Sequence, residues 1–223
     1  QGALTTLAFG EILKQAGVPN GVINIVTGKG SEIGDYLIQH PGIDMIAFTG
    51  SSDTGKRIAS IAGMKPLLLE LGGKDAAIIL PDCDFDATVD NIVKGAFSYS
   101  GQRCTAVKRV LVLPEIADRL SQAIAEKTKK LTVGKPENNC DIGPLISPDQ
   151  VTFVQGLIDD AVSKGAKCLT ENKREGNILW PVVLDNVTFD MRIAWEEPFG
   201  PVLPIIRVND IKEAIVISNR SEY

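Results

Sequence analysis

Phe48-Thr-Gly-Ser-Ser-Asp-Thr-Gly55 is a glycine-punctuated turn that leaves an apolar run and enters a helical pattern. A second turn of similar build, Thr27-Gly-Lys-Gly-Ser-Glu-Ile-Gly34, stands upstream of it. Around the two turns, apolar runs bounded by glycine alternate with helical patterns: Val22 to Val26, Glu32 to Ile38, Met45 to Phe48, Thr54 to Ile61 and Leu67 to Leu71. This βαβαβ grammar predicts an α/β fold with a parallel sheet. Glycine turns of this kind let backbone amides approach a phosphate and aim a helix N-terminus at it. Neither turn has the Gly-x-Gly-x-x-Gly spacing, and alone each is as readily structural. Two in successive units favour a dinucleotide ligand. Asp35, just after the first turn, is read either as an acceptor for a nucleotide hydroxyl or as an acid complementing the helix dipole.

Outward from this core, the first 16 residues read as a helix ended by Gly17 and Pro19. After Gly72-Gly73 the rhythm restarts, which places a domain boundary there. A buried strand at Ala76 to Leu80 precedes a helix, capped by Asp84, whose Phe85, Val89, Ile92, Val93, Ala96 and Phe97 fall on one face. Strands are expected at Val110 to Leu113, Ile178 to Leu184 and Val202 to Ile206, and helices near Ile116 to Leu131 and Asp149 to Val162.

Composition narrows the function. The chain has 223 residues, 44% of them hydrophobic, with 23 basic and 28 acidic side chains and a formal charge of -5. It is large enough to bury a core and lacks the basic surface that nucleic acid requires. Its apolar runs are far shorter than the ~20 residues of a membrane span. Cys83, Cys104, Cys140 and Cys168 are widely spaced and the single histidine is His40, so zinc and disulfide frameworks fit poorly and no metal is expected. His40, before Pro41, reads as a cap or surface residue. Any base in this chemistry must then be a carboxylate or a lysine. The chain starts at Gln1 without a leader pattern and is read as an internal fragment of a longer cytoplasmic protein.

Chemistry concentrates in Phe97-Ser-Tyr-Ser-Gly-Gln-Arg-Cys104. A thiol attacks carbon as its thiolate, which positive charge favours, and Arg103 supplies that charge beside a cysteine at a chain break. A lone cysteine is more often a small buried hydrophobe. The second feature is Leu67-Leu-Leu-Glu70-Leu-Gly-Gly73, where a carboxylate ends an apolar run: the partner thioester chemistry needs. Downstream, Trp195-Glu-Glu-Pro-Phe-Gly-Pro-Val202 puts two acids on a stiff loop, suited to holding a ribose or equally to an ordinary Pro-Gly turn. Trp180 and Trp195 read as core or rim packing.

Together, Phe48-Thr-Gly-Ser51, Glu70-Leu-Gly-Gly-Lys74, Phe97 to Cys104 and Glu196-Glu-Pro-Phe-Gly-Pro201 resemble the aldehyde dehydrogenase superfamily over essentially the whole chain. Gly101-Gln-Arg-Cys-Thr-Ala-Val-Lys108, Thr27 to Asp35, Lys173-Arg-Glu-Gly-Asn177 and Asp190-Met-Arg-Ile-Ala-Trp-Glu-Glu197 are most similar to its non-phosphorylating, NADP-dependent branch acting on glyceraldehyde 3-phosphate. The resemblance implies the latter part of a Rossmann-like cofactor domain over 1–72, and most of an α/β catalytic domain, truncated, over 73–223. It makes Cys104 the nucleophile and Glu70 the general base. It assigns Thr49, Gly50, Ser51, Gly55 and Leu71 to cofactor binding, with Glu197 and Phe199 at the nicotinamide end. Arg103 takes the substrate phosphate, where its planar fork suits the oxygens, with Thr105 beside it. The implied reaction converts D-glyceraldehyde 3-phosphate to 3-phosphoglycerate with NADP. NAD, another aldehyde such as lactaldehyde or a semialdehyde, and an inactive folding or assembly fragment are the alternatives. A small phosphorylated aldehyde is the expected partner, with no nucleic acid or membrane, and a homo-oligomer is expected for the full-length protein.

Overall fold

The structure, a computed structural model, describes residues 2–223, which divide into two units, one ending at Leu71 and one running from Gly72 to Tyr223. In the first unit, helix α1 (Ala3–Gln15) stops before Gly17, whose φ of 87° is a conformation glycine adopts freely. Helix α2 (Gly30–Gln39) follows, then strand β1 (Ile46–Thr49), helix α3 (Ser52–Ile61) and strand β2 (Leu67–Glu70). The strands pair in parallel, Ile46 opposite Leu67 and Thr49 opposite Glu70. Lys65 donates from Nζ to the His40 carbonyl at 2.7 Å, tying the start of β2 to the end of α2. His40 itself caps α2, and its Nδ1 accepts from the Gly42 amide at 3.0 Å.

The strand expected at Val22 to Val26 is absent. That stretch is irregular, and Val22, Ile23 and Val26 are exposed. An apolar run becomes a strand only when a neighbour accepts its hydrogen bonds, and among the described residues the sheet of this unit holds β1 and β2 alone.

The second unit is built on strands β3 (Ala76–Ile79) and β4 (Arg109–Val112), with helix α4 (Phe85–Phe97) between them. Asp84 caps α4 by accepting from the Ala87 amide at 3.2 Å. Helices α5 (Pro114–Thr128) and α6 (Pro148–Ser163) follow. Short strands β5 (Lys167–Cys168), β6 (Arg174–Glu175) and β7 (Ile178–Leu179) precede β8 (Val182–Asp185), β9 (Val202–Arg207) and helix α7 (Ile211–Asn219). The main sheet has the order β3-β4-β9-β8-β5, parallel except for β5 at its edge.

Side-chain alternation splits the core of this unit into two layers, one on each face of the sheet. Val110, Val112, Val183, Leu203 and Ile205 pack against α4 and α5, while Leu111, Val182, Leu184, Val202 and Ile206 pack against α6 and α7. A sheet buried on both faces explains why its strands read as unbroken apolar runs. The single strand expected from Ile178 to Leu184 is two, β7 and β8, separated at Trp180-Pro181, where proline offers no amide to a ladder. Helix α7, which carries its own cap at Asp210, was not anticipated. No helix among the described residues is long and apolar enough to cross a membrane.

Candidate active site

The turn that leads to Cys104 begins where α4 ends. Tyr99 (φ 55°), Ser100 (φ 57°) and Gly101 (φ 69°) are three successive left-handed residues, a conformation that surrounding bonds must hold. Ser100 Oγ accepts from the Gly143 amide at 2.9 Å and donates to the Gly143 carbonyl at 3.2 Å. Gln102 donates to the Pro144 carbonyl at 3.3 Å and accepts from the Ile146 amide at 3.0 Å. A Cβ on Gly101 would lie 2.3 Å from the Gly200 carbonyl oxygen, so only glycine fits. These contacts fix the turn from below. Cys104 and Thr105 are left exposed, and Arg103 half-buried beside them.

Arg103 leans over the Tyr99 ring, 5.6 Å from its centroid, and reaches the Thr105 carbonyl at 3.5 Å. Its Nε is buried without a hydrogen-bond partner among the described residues. A buried guanidinium donor left unpaired favours an incoming acceptor. A cavity of about 670 Å³ shares Tyr99 with this turn but is lined by Asp90, Lys94, Phe97, Lys127 and Asp141 and excludes Cys104.

Against the backbone of Cys104 lies a cationic cluster to which the motifs gave no role. Lys74, Lys108 and Arg109 are all buried. Lys108 Nζ meets Asp75 Oδ2 and Glu197 Oε1, each at 3.2 Å, and donates to the Cys104 carbonyl. Lys74 donates to the Glu196 carbonyl at 2.7 Å, and burial pushes its ammonium well below the usual lysine range, with repulsion from Arg109 and Lys108 adding to the effect. Arg109 donates to the Ala194 and Ser218 carbonyls at 3.2 and 3.3 Å, and burial lowers its pKa too. The signal in the sequence was Lys108-Arg109 at the head of an apolar run, two charges where the strand buries everything.

Glu197 accepts on Oε1 from the Gly73 amide at 3.1 Å, and its Oε2 lies 2.0 Å from where a Gly72 Cβ would stand. Gly72-Gly73 therefore does more than separate two rhythms: it lets a carboxylate approach the backbone. Glu196 turns the other way into a bidentate pair with Arg192 at 2.7 and 2.8 Å. Phe199 is 36% exposed at a φ of 44°, with Gln150 donating to the Pro198 and Phe199 carbonyls at 2.8 and 3.3 Å. Trp195 is core packing, donating to the Phe189 carbonyl at 2.7 Å.

In the first unit, Glu70 ends β2 with its side chain exposed, opposite Thr49 in register. Its carbonyl accepts from the Gly50 amide at 3.0 Å. Ser51 caps α3, accepting from the Thr54 amide at 3.3 Å, so its hydroxyl is already engaged. Gly55 is buried because Leu71 packs where a Cβ would sit, at 2.6 Å. Asp35 is not a first-turn acid: Glu32 holds that place, and Asp35 lies mid-helix with both oxygens bound by Arg57, which holds its carboxyl below the usual range. Among the described residues, no group of three or more His, Cys, Asp or Glu side chains is arranged to hold a metal.

The aldehyde dehydrogenase family model matches residues 1–223. The chain is 57% identical to the NADP-dependent glyceraldehyde-3-phosphate dehydrogenase of Streptococcus equinus and 55% to that of Pisum sativum, over its whole length in both cases. It spans about half the length of these relatives, 47% and 45%. The crystal structure of the NADP-dependent glyceraldehyde-3-phosphate dehydrogenase from Bacillus halodurans C-125 complexed with NADP superposes with a TM-score of 0.98 at 58% identity, covering 100% of this chain and 47% of that one. A salicylaldehyde dehydrogenase from Pseudomonas putida G7, at 40% identity, reaches 0.95, covering 99% of this chain and 47% of that one. A cysteine raised on a braced left-handed turn and a carboxylate pinned at Gly72-Gly73 thus occur in a chain matched from end to end by one family model, and the chain belongs to the aldehyde dehydrogenase family.

Proposed function

We propose that this chain is the nucleophile-bearing part of an NADP-dependent enzyme that oxidises glyceraldehyde 3-phosphate to 3-phosphoglycerate, with 1–71 contributing to the cofactor domain and 72–223 to the catalytic domain. The observation that carries the reading is Arg103, whose buried, unpaired Nε sits next to the exposed Cys104. A guanidinium fork beside the nucleophile suits an aldehyde that bears a phosphate. The same fold serves other aldehydes, so the choice of substrate rests on this residue and on the closeness of the glyceraldehyde-3-phosphate relatives.

The residues present fit a dinucleotide. An exposed Thr49-Gly50-Ser51 turn opens directly onto the N-terminus of α3, where first-turn amides lack partners within the helix. Glu197, tethered on Oε1, holds the nicotinamide ribose in this reading, with Phe199 beside it. NADP, when bound, supplies the hydride acceptor. Cys104 adds to the aldehyde carbon through its thiolate, and backbone amides of the turn stabilise the oxyanion. Oxidation leaves a thioester on Cys104. Glu70 takes a proton from the water that hydrolyses it, releasing 3-phosphoglycerate and the thiolate.

The test is the full-length chain assayed with glyceraldehyde 3-phosphate and each nicotinamide cofactor in phosphate-free buffer. NADP reduction without inorganic phosphate is expected. No reduction, or a phosphate requirement, defeats the reading. Faster turnover of lactaldehyde or a semialdehyde transfers it to another substrate.

A further inference from the structure

Lys108 is charged, yet its side chain is 2% exposed. A buried ammonium is costly unless all three of its protons are matched. Here they are, by three acceptors from different parts of the second unit: Asp75 Oδ2, Glu197 Oε1 and the carbonyl of Cys104. Asp75 is half-exposed, whereas the Glu197 side chain is 13% exposed and its oxygens have little freedom. Oε1 is shared between Lys108 and the Gly73 amide, and Oε2 lies against Gly72. On the other side of the same loop, Lys74 holds the Glu196 carbonyl. Glu197 cannot swing away without breaking its bond to Lys108, and Lys108 cannot follow without releasing the backbone of the nucleophile.

We infer that Lys108 is a positioning residue that couples the Cys104 turn to Glu197, so that a single ammonium sets both the nucleophile and the carboxylate proposed to hold the nicotinamide ribose. The inference rests on the assignment of Cys104 and Glu197 in the proposed function and adds the connection between them. Lys108 touches neither cofactor nor substrate in this scheme, and its effect on cofactor binding must pass through Glu197.

A double-mutant cycle in the full-length chain separates this role from a purely structural one. NADP affinity is measured by quenching of tryptophan fluorescence for wild type, Lys108→Met, Glu197→Gln and the double variant. Each single substitution is expected to raise Kd by about tenfold. The double variant is expected to bind no worse than Glu197→Gln alone. Losses that multiply overturn the coupling while leaving the cofactor site intact. A wild-type chain that binds no NADP removes the proposed function, and the coupling falls with it. Should Lys108→Met fail to fold, the cycle is run with Lys108→Gln, which keeps a neutral donor for the Cys104 carbonyl and removes the ion pair. The same reading of the cycle applies. As a readout on the nucleophile side, brief iodoacetamide labelling of Cys104 is expected to slow severalfold in Lys108→Met and to stay near wild type in Glu197→Gln. Equal labelling in all variants overturns the link to the turn.

Discussion

The two units bury their apolar residues to very different degrees. In the second, helices cover both faces of the central strands of a five-stranded sheet, and the side chains of β4, β8 and β9 are almost entirely inaccessible. In the first, only Ile58 and Ala62 among the described apolar residues are buried, while Leu4, Ile12, Val22 and Val26 remain 81%, 59%, 67% and 73% exposed. Both units use the same strand–helix alternation. The difference is that two strands give helices too little sheet to cover, whereas the larger sheet presents two faces that helices bury at its centre. An apolar pattern states which face wants burial; the number of layers available decides whether it gets it.

The proposed catalytic roles divide along the same line, with Cys104 in the second unit and Glu70 in the first. The largest effect should come from Cys104→Ser in the full-length chain, a fall in kcat on the order of 10⁴-fold or more with NADP affinity retained. Glu70→Gln should behave differently: a burst of reduced nicotinamide followed by a stall, seen by stopped-flow absorbance. A Glu70→Gln enzyme without a burst would mean that the first unit acts before the thioester and not after it.

Stability should follow the burial contrast. Ile124→Ala in the second unit should cost about 2–5 kcal/mol in urea unfolding, because it opens a cavity in a packed layer. Ile12→Ala in the first should stay within about 0.5 kcal/mol in this chain. If Ile12→Ala became as costly in the full-length chain, sequence outside residues 1–223 would cover α1. Comparable costs within this chain would break the contrast.

Arg103→Leu is expected to lose about 2 kcal/mol of kcat/KM with glyceraldehyde 3-phosphate and much less with glyceraldehyde, since one charge-assisted contact is removed. Equal losses with both aldehydes would sink the phosphate role. The smallest effect concerns Asp35, whose folded carboxyl is held below its ordinary value near 3.8 by Arg57. A depressed folded pKa stabilises above the unfolded value and loses that contribution as pH falls through the folded one. Asp35→Asn should therefore flatten the acid limb of stability below about pH 4 and change little at neutrality. An unaltered acid limb would show that this exposed pair contributes nothing.

Much of this was legible beforehand. The apolar runs at Ala76, Val110 and Val202 became strands because sheets buried on both faces tolerate no polar alternation. Asp84 capped its helix because an N-cap is a local decision. Val22 to Val26 failed as a strand because pairing is not local, and Ile178 to Leu184 broke because periodicity ignores a missing amide at Pro181. Asp35 read as an acid near a helix start because the helical pattern was placed from Glu32, two residues after α2 begins at Gly30.

Residue order by itself determined the family, the α/β alternation, the exposed cysteine after a Gly-Gln-Arg turn and the carboxylate at the end of β2, since each depends on neighbours within a few positions. Tertiary structure alone decided that Gly72 and Gly101 are spaces for Glu197 and the Gly200 carbonyl, and that Lys108 is buried with three acceptors. It also decided that Arg57 takes both oxygens of Asp35. Apart from the Cys104 carbonyl, four residues from Lys108, those outcomes require groups 22 to 125 positions apart to meet, and no local propensity encodes which distant oxygen will stand close to a given nitrogen.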